Sequence, residues 1–129
     1  LVQNRSGELV QRFEVDIEGR IEGNRLILDE VFHYSIGEGV RERTWHIDRR
    51  EDGSYLGSAN DILDQAHGRS FGNAFHWTYQ MAIPVGEGVI EVTFEDWFWA
   101  LDETRLFNRS YLQKFGFDVA EVTLFMERR

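Results

Sequence analysis

Five polar residues stand at positions that the surrounding apolar pattern assigns to the interior of the fold. Glu30, Arg43, Asp61, Asn73 and Asp96 each fall in step with the alternating apolar residues of a predicted strand. A charge that is buried without a partner costs several kcal/mol, so these groups must pair with one another or line a wet cavity. Carboxyl groups beside a guanidinium can hold the polar end of a ligand or act as general acid and base.

Two interpretations of this polar set are open at the level of sequence. In the first the set is structural: Glu30 pairs with Arg43, and Asp96 accepts a hydrogen bond from a tryptophan indole. In the second it forms the polar base of a ligand pocket. With a short loop at residues 37–39, Arg43 should lie opposite Phe32 and diagonal to Glu30 on neighbouring strands.

Known catalytic and cofactor-binding motifs do not occur in the sequence. The chain has no cysteine, which excludes thiolate metal sites and cysteine nucleophiles. It has no nucleophile elbow and no phosphate-binding loop, and its four histidines show no close ligand spacing. We therefore assign no catalytic residue, no metal and no cofactor. An isomerase or hydratase that uses Glu30 or Asp96 as acid and base, with Arg43 stabilising charge, is an alternative.

The elements that must position these residues are strands. Apolar and polar residues alternate with period two, most clearly over residues 73–83 and 90–98. Turn signals recur about every 10–14 residues with no helical blocks between them. Residues 106–115 fit either a short helix or a strand, and a strand is favoured because the rest of the chain is β. The pattern predicts one all-β domain over residues 1–129, an antiparallel up-and-down barrel or half-barrel of eight to ten strands.

The apolar faces of two neighbouring strands predict their register. Residues directly opposite each other in an antiparallel pair point to the same face of the sheet. The predicted pairs are Met81 with Val92, Tyr79 with Phe94, Trp77 with Asp96, and Phe75 with Phe98. The side chain of Asp96 should therefore point into an aromatic neighbourhood.

Another predicted strand carries unusually small residues on its inward face. Tyr55, Gly57, Ala59 and Asp61 follow one another at period two. The small side chains would leave room inside the barrel, or the glycine would mark a bend at a barrel corner. The candidate pocket residues are Glu30, Arg43, Tyr55, Asp61, Asn73, Trp77, Tyr79 and Asp96.

Charge and composition limit the classes of partner. The 129 residues carry a net charge of −9, and residues 1–65 hold 14 acids against 8 bases, so the acidity does not form a tail. Such a chain is repelled by nucleic acid and by an anionic bilayer surface. Aromatic residues make up 14% of the chain, which argues against disorder. No apolar run approaches the roughly 20 residues of a membrane helix.

Short motifs run along nearly the whole chain in a fixed order. They are Arg12-Phe13, Ile17-Glu18-Gly19, Leu28-Asp29-Glu30, Phe32, Tyr34, Arg43-Thr44-Trp45, Tyr55-x-Gly57-x-Ala59-x-Asp61, Gly72-Asn73-Ala74, Trp77, Tyr79, Asp96-Trp97, Asn108-Arg109-Ser110 and Lys114-Phe115-Gly116. Together these motifs resemble the bacterial domain-of-unknown-function family number 3833. The resemblance implies an exported envelope lipoprotein with one lipocalin-like (calycin) barrel. It also implies an N-terminal signal and lipobox segment outside residues 1–129, and it carries over no catalytic residue.

These observations lead to one main functional prediction and two alternatives. We expect a non-enzymatic binding module that holds a small hydrophobic or amphipathic ligand in an aromatic-lined interior. The resemblance implies a periplasmic location, with membrane attachment only through a lipid on the N-terminal segment. The alternatives are the isomerase or hydratase described above and an envelope scaffold that uses Trp97 and Trp99 as contacts.

Overall fold

The computed structural model describes residues 1–35, 40–85 and 87–129. Its regular secondary structure in these ranges consists of strands, as the period-two alternation predicts. The strands are β1 (Val2–Asn4), β2 (Leu9–Gln11), β3 (Phe13–Glu22), β4 (Arg25–Tyr34), β5 (Val40–Arg49), β6 (Tyr55–Ala59), β7 (Leu63–Phe71), β8 (Ala74–Val85), β9 (Gly88–Ala100), β10 (Arg105–Lys114) and β11 (Phe117–Glu127). The described residues include no helix of the length and hydrophobicity that spanning a membrane requires.

All of these strands belong to one antiparallel sheet, in the order β2-β1-β11-β10-β9-β8-β7-β6-β5-β4-β3. From β3 to β11 each strand pairs with the next in the chain, and β1 then pairs with β11. The sheet curls into a nearly closed barrel. The predicted fold class is confirmed. The described residues form 11 strands rather than eight to ten, because β1 and β2 form an additional hairpin of two three-residue strands.

The edges of the sheet are β2 and β3, which only Arg12 separates in the chain. β2 pairs with β1 and β3 pairs with β4, so the far edge of β3 has no strand beside it in the described ranges. Ile17 on β3 lies opposite Glu30 and shares its inward face, yet Ile17 is 38% exposed. Solvent therefore reaches the interior of the barrel along β3.

The registers test the sequence predictions directly. The four predicted pairs between β8 and β9 are all confirmed, and residues 106–115 are confirmed as mostly strand, in β10. The predicted pairing of Arg43 with Phe32 is wrong, because Arg43 lies opposite Glu30 and Phe32 lies opposite Arg41. A two-residue shift keeps every side chain on its predicted face, so Arg43 still points inward. The loop on which that prediction rested, residues 37–39, lies outside the described residues.

The core is built around the indole of Trp77, which is 3% exposed. Gly57 on β6 and Gly68 on β7 make room for this ring. A Cβ atom added at Gly57 would lie 2.5 Å from Trp77 Cζ2, and one added at Gly68 would also overlap the ring. The small face of β6 thus receives a side chain from β8, and the space over Gly57 is not an empty cavity.

Gly57→Ala should destabilise the protein by about 1–3 kcal/mol, because the added methyl group overpacks a rigid indole. Urea denaturation would measure the change. The matched control is Gly19→Ala, whose Cβ would meet the flexible tip of Leu28 at 3.2 Å and should be tolerated. Equal stability of Gly57→Ala and the unsubstituted protein would contradict the close packing of Trp77 on β6.

Candidate functional site

Five polar side chains meet inside the barrel, and we call them the interior polar cluster: Glu30, Arg43, Asp61, Tyr79 and Asp96. Four of them stand at inward positions of β4, β5, β8 and β9, where strand alternation directs them to the core. Asp61 lies in the turn after β6. The cluster therefore draws on neighbouring strands from two parts of the sheet, β4 to β6 and β8 to β9.

Arg43 is held in the interior by Asp61. The Nε atom of Arg43 donates to both carboxylate oxygens of Asp61 at 2.9 Å, and Asp61 Oδ2 also accepts from Arg41 Nη2 at 2.9 Å. The side chains of Arg43 and Asp61 are only 13% and 12% exposed, whereas that of Arg41 is 46% exposed. The Arg43 guanidinium also lies 5.2 Å from the centre of the Phe32 ring. The main acidic partner of Arg43 is therefore Asp61.

Glu30 lies close to Arg43 without a hydrogen bond to it. Glu30 Oε1 is 3.9 Å from Arg43 Nη1, and this buried oxygen has no hydrogen-bond partner among the described residues. Burial raises the pKa of Glu30 to about 7, although the positive charge of Arg43 and the Trp45 indole favour the ionised form. The negative charges of Asp61 and Asp96 add to the increase. The expected structural ion pair between Glu30 and Arg43 is thus a loose contact.

Asp96 is the most deeply buried acid of the cluster, at 5% exposed. Its Oδ1 atom also has no hydrogen-bond partner in the part of the chain that the structure describes, so no tryptophan indole serves this oxygen. Burial raises the pKa of Asp96 to about 6, while the hydroxyl groups of Ser110 and Tyr79 favour its ionised form. Trp77 lies directly opposite Asp96, which confirms the aromatic neighbourhood predicted for it.

Tyr79 and Arg43 keep fixed protonation states at neutral pH. Burial raises the pKa of Tyr79 well above its ordinary value, and the charge of Asp96 adds to this. Burial by itself would lower the pKa of Arg43, but Tyr79, Asp61 and Glu30 raise it overall. Tyr79 is therefore a neutral phenol and Arg43 a permanent cation.

The candidate residues from the sequence are placed as follows. Tyr55 and Trp77 line the interior beside the cluster, where each packs against Phe75 with ring centres 5.3 and 5.5 Å apart. The prediction that Asn73 points inward is wrong: it is exposed in the turn before β8, and its Nδ2 donates to the carbonyl of Ala100 at 3.2 Å. The inward alternation of β8 does not include Asn73, because the strand begins at Ala74.

Sequence reasoning did not assign Ser110 and Asn108 to the site. Both are 5% exposed, and Ser110 lies directly opposite Asp96. Asn108 Nδ2 donates to the carbonyl of Trp97 at 3.0 Å, and Ser110 Oγ lies 3.4 Å from Asn108 Oδ1. The period-two spacing of these polar residues indicates that both share one face of a strand. The segment that contains them also fits a helix, so the spacing alone does not place them inside.

The outward face of β9 carries a second group of aromatic residues. Trp97 and Trp99 stack with ring centres 6.1 Å apart and an interplanar angle of 11°. The Trp97 indole donates to Glu95 Oε1 at 3.4 Å, and the ring of His76 lies 4.4 Å from it. These contacts belong to the outside of the barrel and do not reach the interior polar cluster.

The cluster offers unpaired hydrogen-bond acceptors enclosed by aromatic walls. Glu30 Oε1 and Asp96 Oδ1 could each accept from an N–H or O–H group of a ligand. A carboxyl group with a pKa near 7 can also exchange a proton at neutral pH. Within the described residues no group of three or more histidines and acids is arranged to hold a metal ion.

Arg43→Met should destabilise the protein by about 3 kcal/mol, because Glu30 and Asp61 lose their buried cation. The matched control is Arg41→Met, which removes an exposed guanidinium from the same carboxylate and should cost less than about 1 kcal/mol. Urea denaturation at pH 7 would measure both. Similar losses for the two variants would contradict a special role of the buried guanidinium.

Glu30 should make the protein less stable as the pH rises from 4.5 to about 7. The folded protein keeps the Glu30 proton up to about pH 7, whereas the unfolded chain releases it near the ordinary pKa of 4.5. The folded state therefore binds more protons in this window. The stability that Glu30 contributes is complete below pH 4.5 and is lost toward pH 7, an effect on the order of 3 kcal/mol.

Urea denaturation of Glu30→Gln between pH 4.5 and 8 would measure this effect. The variant should gain stability relative to the unsubstituted protein as the pH rises. Glu18→Gln, the same change at an exposed position of β3, is the control and should leave the pH dependence unaltered. Parallel pH curves for Glu30→Gln and the unsubstituted protein would rule out a proton on Glu30 at neutral pH.

A comparison with protein families matches residues 1–128 of this chain to a family model described as Protein of unknown function (DUF3833). The match covers nearly the whole chain, so it confirms the family that the sequence motifs resemble. A search of curated proteins and a search of solved structures found no match.

Proposed function

The chain belongs to the family DUF3833 of proteins of unknown function, and from this premise we propose that it is a binding module for a small amphipathic ligand. The polar end of the ligand contacts the interior polar cluster, and its apolar part lies against the aromatic side chains of the barrel interior. The module binds its ligand without chemical change. No cofactor takes part.

One observation carries the proposal: two buried carboxyl oxygens of the cluster, Glu30 Oε1 and Asp96 Oδ1, have no hydrogen-bond partner among the described residues. A buried polar atom without a partner costs about 1–3 kcal/mol. Folded proteins keep few such atoms, and a bound ligand is one reason to retain them. A ligand that donates hydrogen bonds to both oxygens would remove this cost.

The accessibility of the interior also supports a ligand site. Ile17 faces inward beside Glu30 and is 38% exposed, so a small molecule has a route along β3. The chain has 8811 Å² of accessible surface, whereas a compact protein of its mass, 15.2 kDa, exposes about 7,100 Å². A barrel whose interior is open to solvent on one side exposes more surface than a compact protein of the same mass.

We also propose that this module works in the bacterial envelope. The support is the resemblance of the sequence to exported lipoproteins, in which a lipid on an N-terminal cysteine outside residues 1–129 would anchor the protein to the outer membrane on its periplasmic side. Fractionation of cells that express the full-length protein, with a labelled fatty acid to detect the lipid, would test this. Recovery of unlabelled protein in the cytoplasm would contradict it.

The binding proposal predicts that at least one ten-carbon amphiphile forms a one-to-one complex with the protein. The probes are 1-decanol, decylamine and sodium decanoate, each added below its micelle concentration, with native mass spectrometry and calorimetry as readouts. Ile17→Trp should weaken binding about tenfold or more, because a larger ring covers the route to the cluster. Ile21→Trp, the same change at a 76% exposed position of β3, is the control and should bind normally.

A second candidate function is an isomerase or hydratase, which the Glu30 pKa of about 7 favours because a catalytic acid or base works best near the ambient pH. Arg43 would then stabilise developing negative charge. Incubating a bound ligand in deuterated water distinguishes the two functions. An isomerase transfers solvent deuterium to a carbon of the ligand, whereas a binding module releases the ligand unlabelled.

A third candidate is an envelope scaffold, which the stacked outward indoles of Trp97 and Trp99 favour. Alanine at both positions would then abolish the capture of a partner while the urea midpoint of the protein stays unchanged. A large loss of stability in the double variant would make the two indoles structural instead.

A further inference from the structure

The interior polar cluster holds more acidic than basic groups. Glu30, Asp61 and Asp96 supply three carboxyl groups, and Arg43 is the guanidinium buried among them, with a side chain 13% exposed. Arg41 contacts the cluster through its hydrogen bond to Asp61, and the side chain of Arg41 is 46% exposed. Even when both arginines are counted, the described residues of the cluster leave one carboxyl group without a matching cation.

Both guanidinium groups are hydrogen bonded to the same acid, Asp61. Asp61 receives hydrogen bonds at 2.9 Å from both Arg41 and Arg43, so its charge is compensated twice. Glu30 is left with a 3.9 Å contact to Arg43 Nη1, and Asp96 has no ion pair among the described residues. The uncompensated negative potential is therefore centred on Glu30 and Asp96.

Each of these two acids is hydrogen bonded by an aromatic side chain, Glu30 by Trp45 and Asp96 by Tyr79. Trp45 and Tyr79 meet edge to face with ring centres 5.2 Å apart, and Tyr79 stacks on Phe94 at 5.1 Å. The faces of aromatic rings attract cations, and the attraction grows where water is excluded. Trp45 already shows this preference, because the Arg43 guanidinium lies 5.8 Å from the centre of its ring.

A negative charge on the ligand is disfavoured by the same geometry. Among the described residues, Arg43 Nη2 donates to the sulfur of Met81, a weak acceptor, at 3.6 Å, so this nitrogen could bind a ligand carboxylate. An anion at that position would lie beside Glu30 and Asp96, and like charges placed together in an interface repel each other. The two acids therefore oppose an anionic head group.

We propose that the polar end of the ligand is a nitrogen cation, such as a primary ammonium, which donates hydrogen bonds to Glu30 and Asp96 inside the aromatic walls. This rests on the proposed binding function and names its ligand class: small amphipathic amines, as opposed to fatty acids or neutral alcohols.

The cation and a proton compete for the same site. The charged and titratable groups around Glu30 are Arg43, Asp61, Asp96 and Tyr79. Glu30 and Asp96 exchange protons near neutral pH, with pKa values of about 7 and 6. An amine must displace these protons when it binds. The affinity of the amine should therefore rise from pH 5.5 to 8, and its binding should release protons.

The test uses the three ten-carbon probes at pH 8 on the same protein, with calorimetry as the readout. Decylamine should bind about tenfold more tightly than 1-decanol, and decanoate should bind least, since only the head group differs among them. In Glu30→Gln and, separately, Asp96→Asn, decylamine should lose this advantage over 1-decanol. Glu18→Gln on the outer face of β3 is the matched control and should retain it.

The outcomes separate this inference from the function on which it rests. If decanol or decanoate binds as tightly as decylamine, the cation preference is overturned and the binding function stands. If none of the three probes binds, both are overturned. An amine preference that persists in both Glu30→Gln and Asp96→Asn would also overturn the inference, because the interior acids would not be its source. The comparison of the three probes on the unsubstituted protein tests the cation preference even if one variant does not fold.

Discussion

The burial of the Arg43 guanidinium is the interaction on which the rest of the interior depends. A charge of this kind stays inside a barrel only if it is hydrogen bonded, and Asp61 provides that from the turn after β6. Asp61 takes the Nε hydrogen bonds of Arg43, Glu30 lies 3.9 Å from Nη1, and burial raises the pKa of Glu30 to about 7. The position of one ion pair thus decides which carboxyl groups remain available.

The packing around this pair makes the arrangement rigid. Trp77 fits against Gly57 and Gly68, where no side chain larger than hydrogen is tolerated without a shift of the ring. Trp45, Trp77 and Tyr79 are each at most 5% exposed. Rigid walls keep Glu30 and Asp96 from moving outward to solvent, so their high pKa values and unpaired oxygens follow from the core.

Much of the fold and part of the site could be predicted from the residues alone. The register of β8 and β9 followed from matching apolar faces, because both strands alternate without a bulge. The prediction that Asn73 points inward is wrong because alternation does not mark where a strand begins. Gly72, directly before Asn73, turns the chain with a φ of +59°. Ser110 is not assigned to the interior from sequence because its segment fits either a helix or a strand.

Within the strands, the sequence by itself determined which side chains face the interior, because a period of two survives any register shift of two residues. Arg43 is inward in the predicted register and in the observed one. The tertiary structure alone decided the partners: Glu30 stands opposite Arg43, while Asp61 comes from a turn and takes the hydrogen bonds. Periodicity encodes a face but no distance, and the position of a turn relative to the neighbouring strand depends on how the sheet coils.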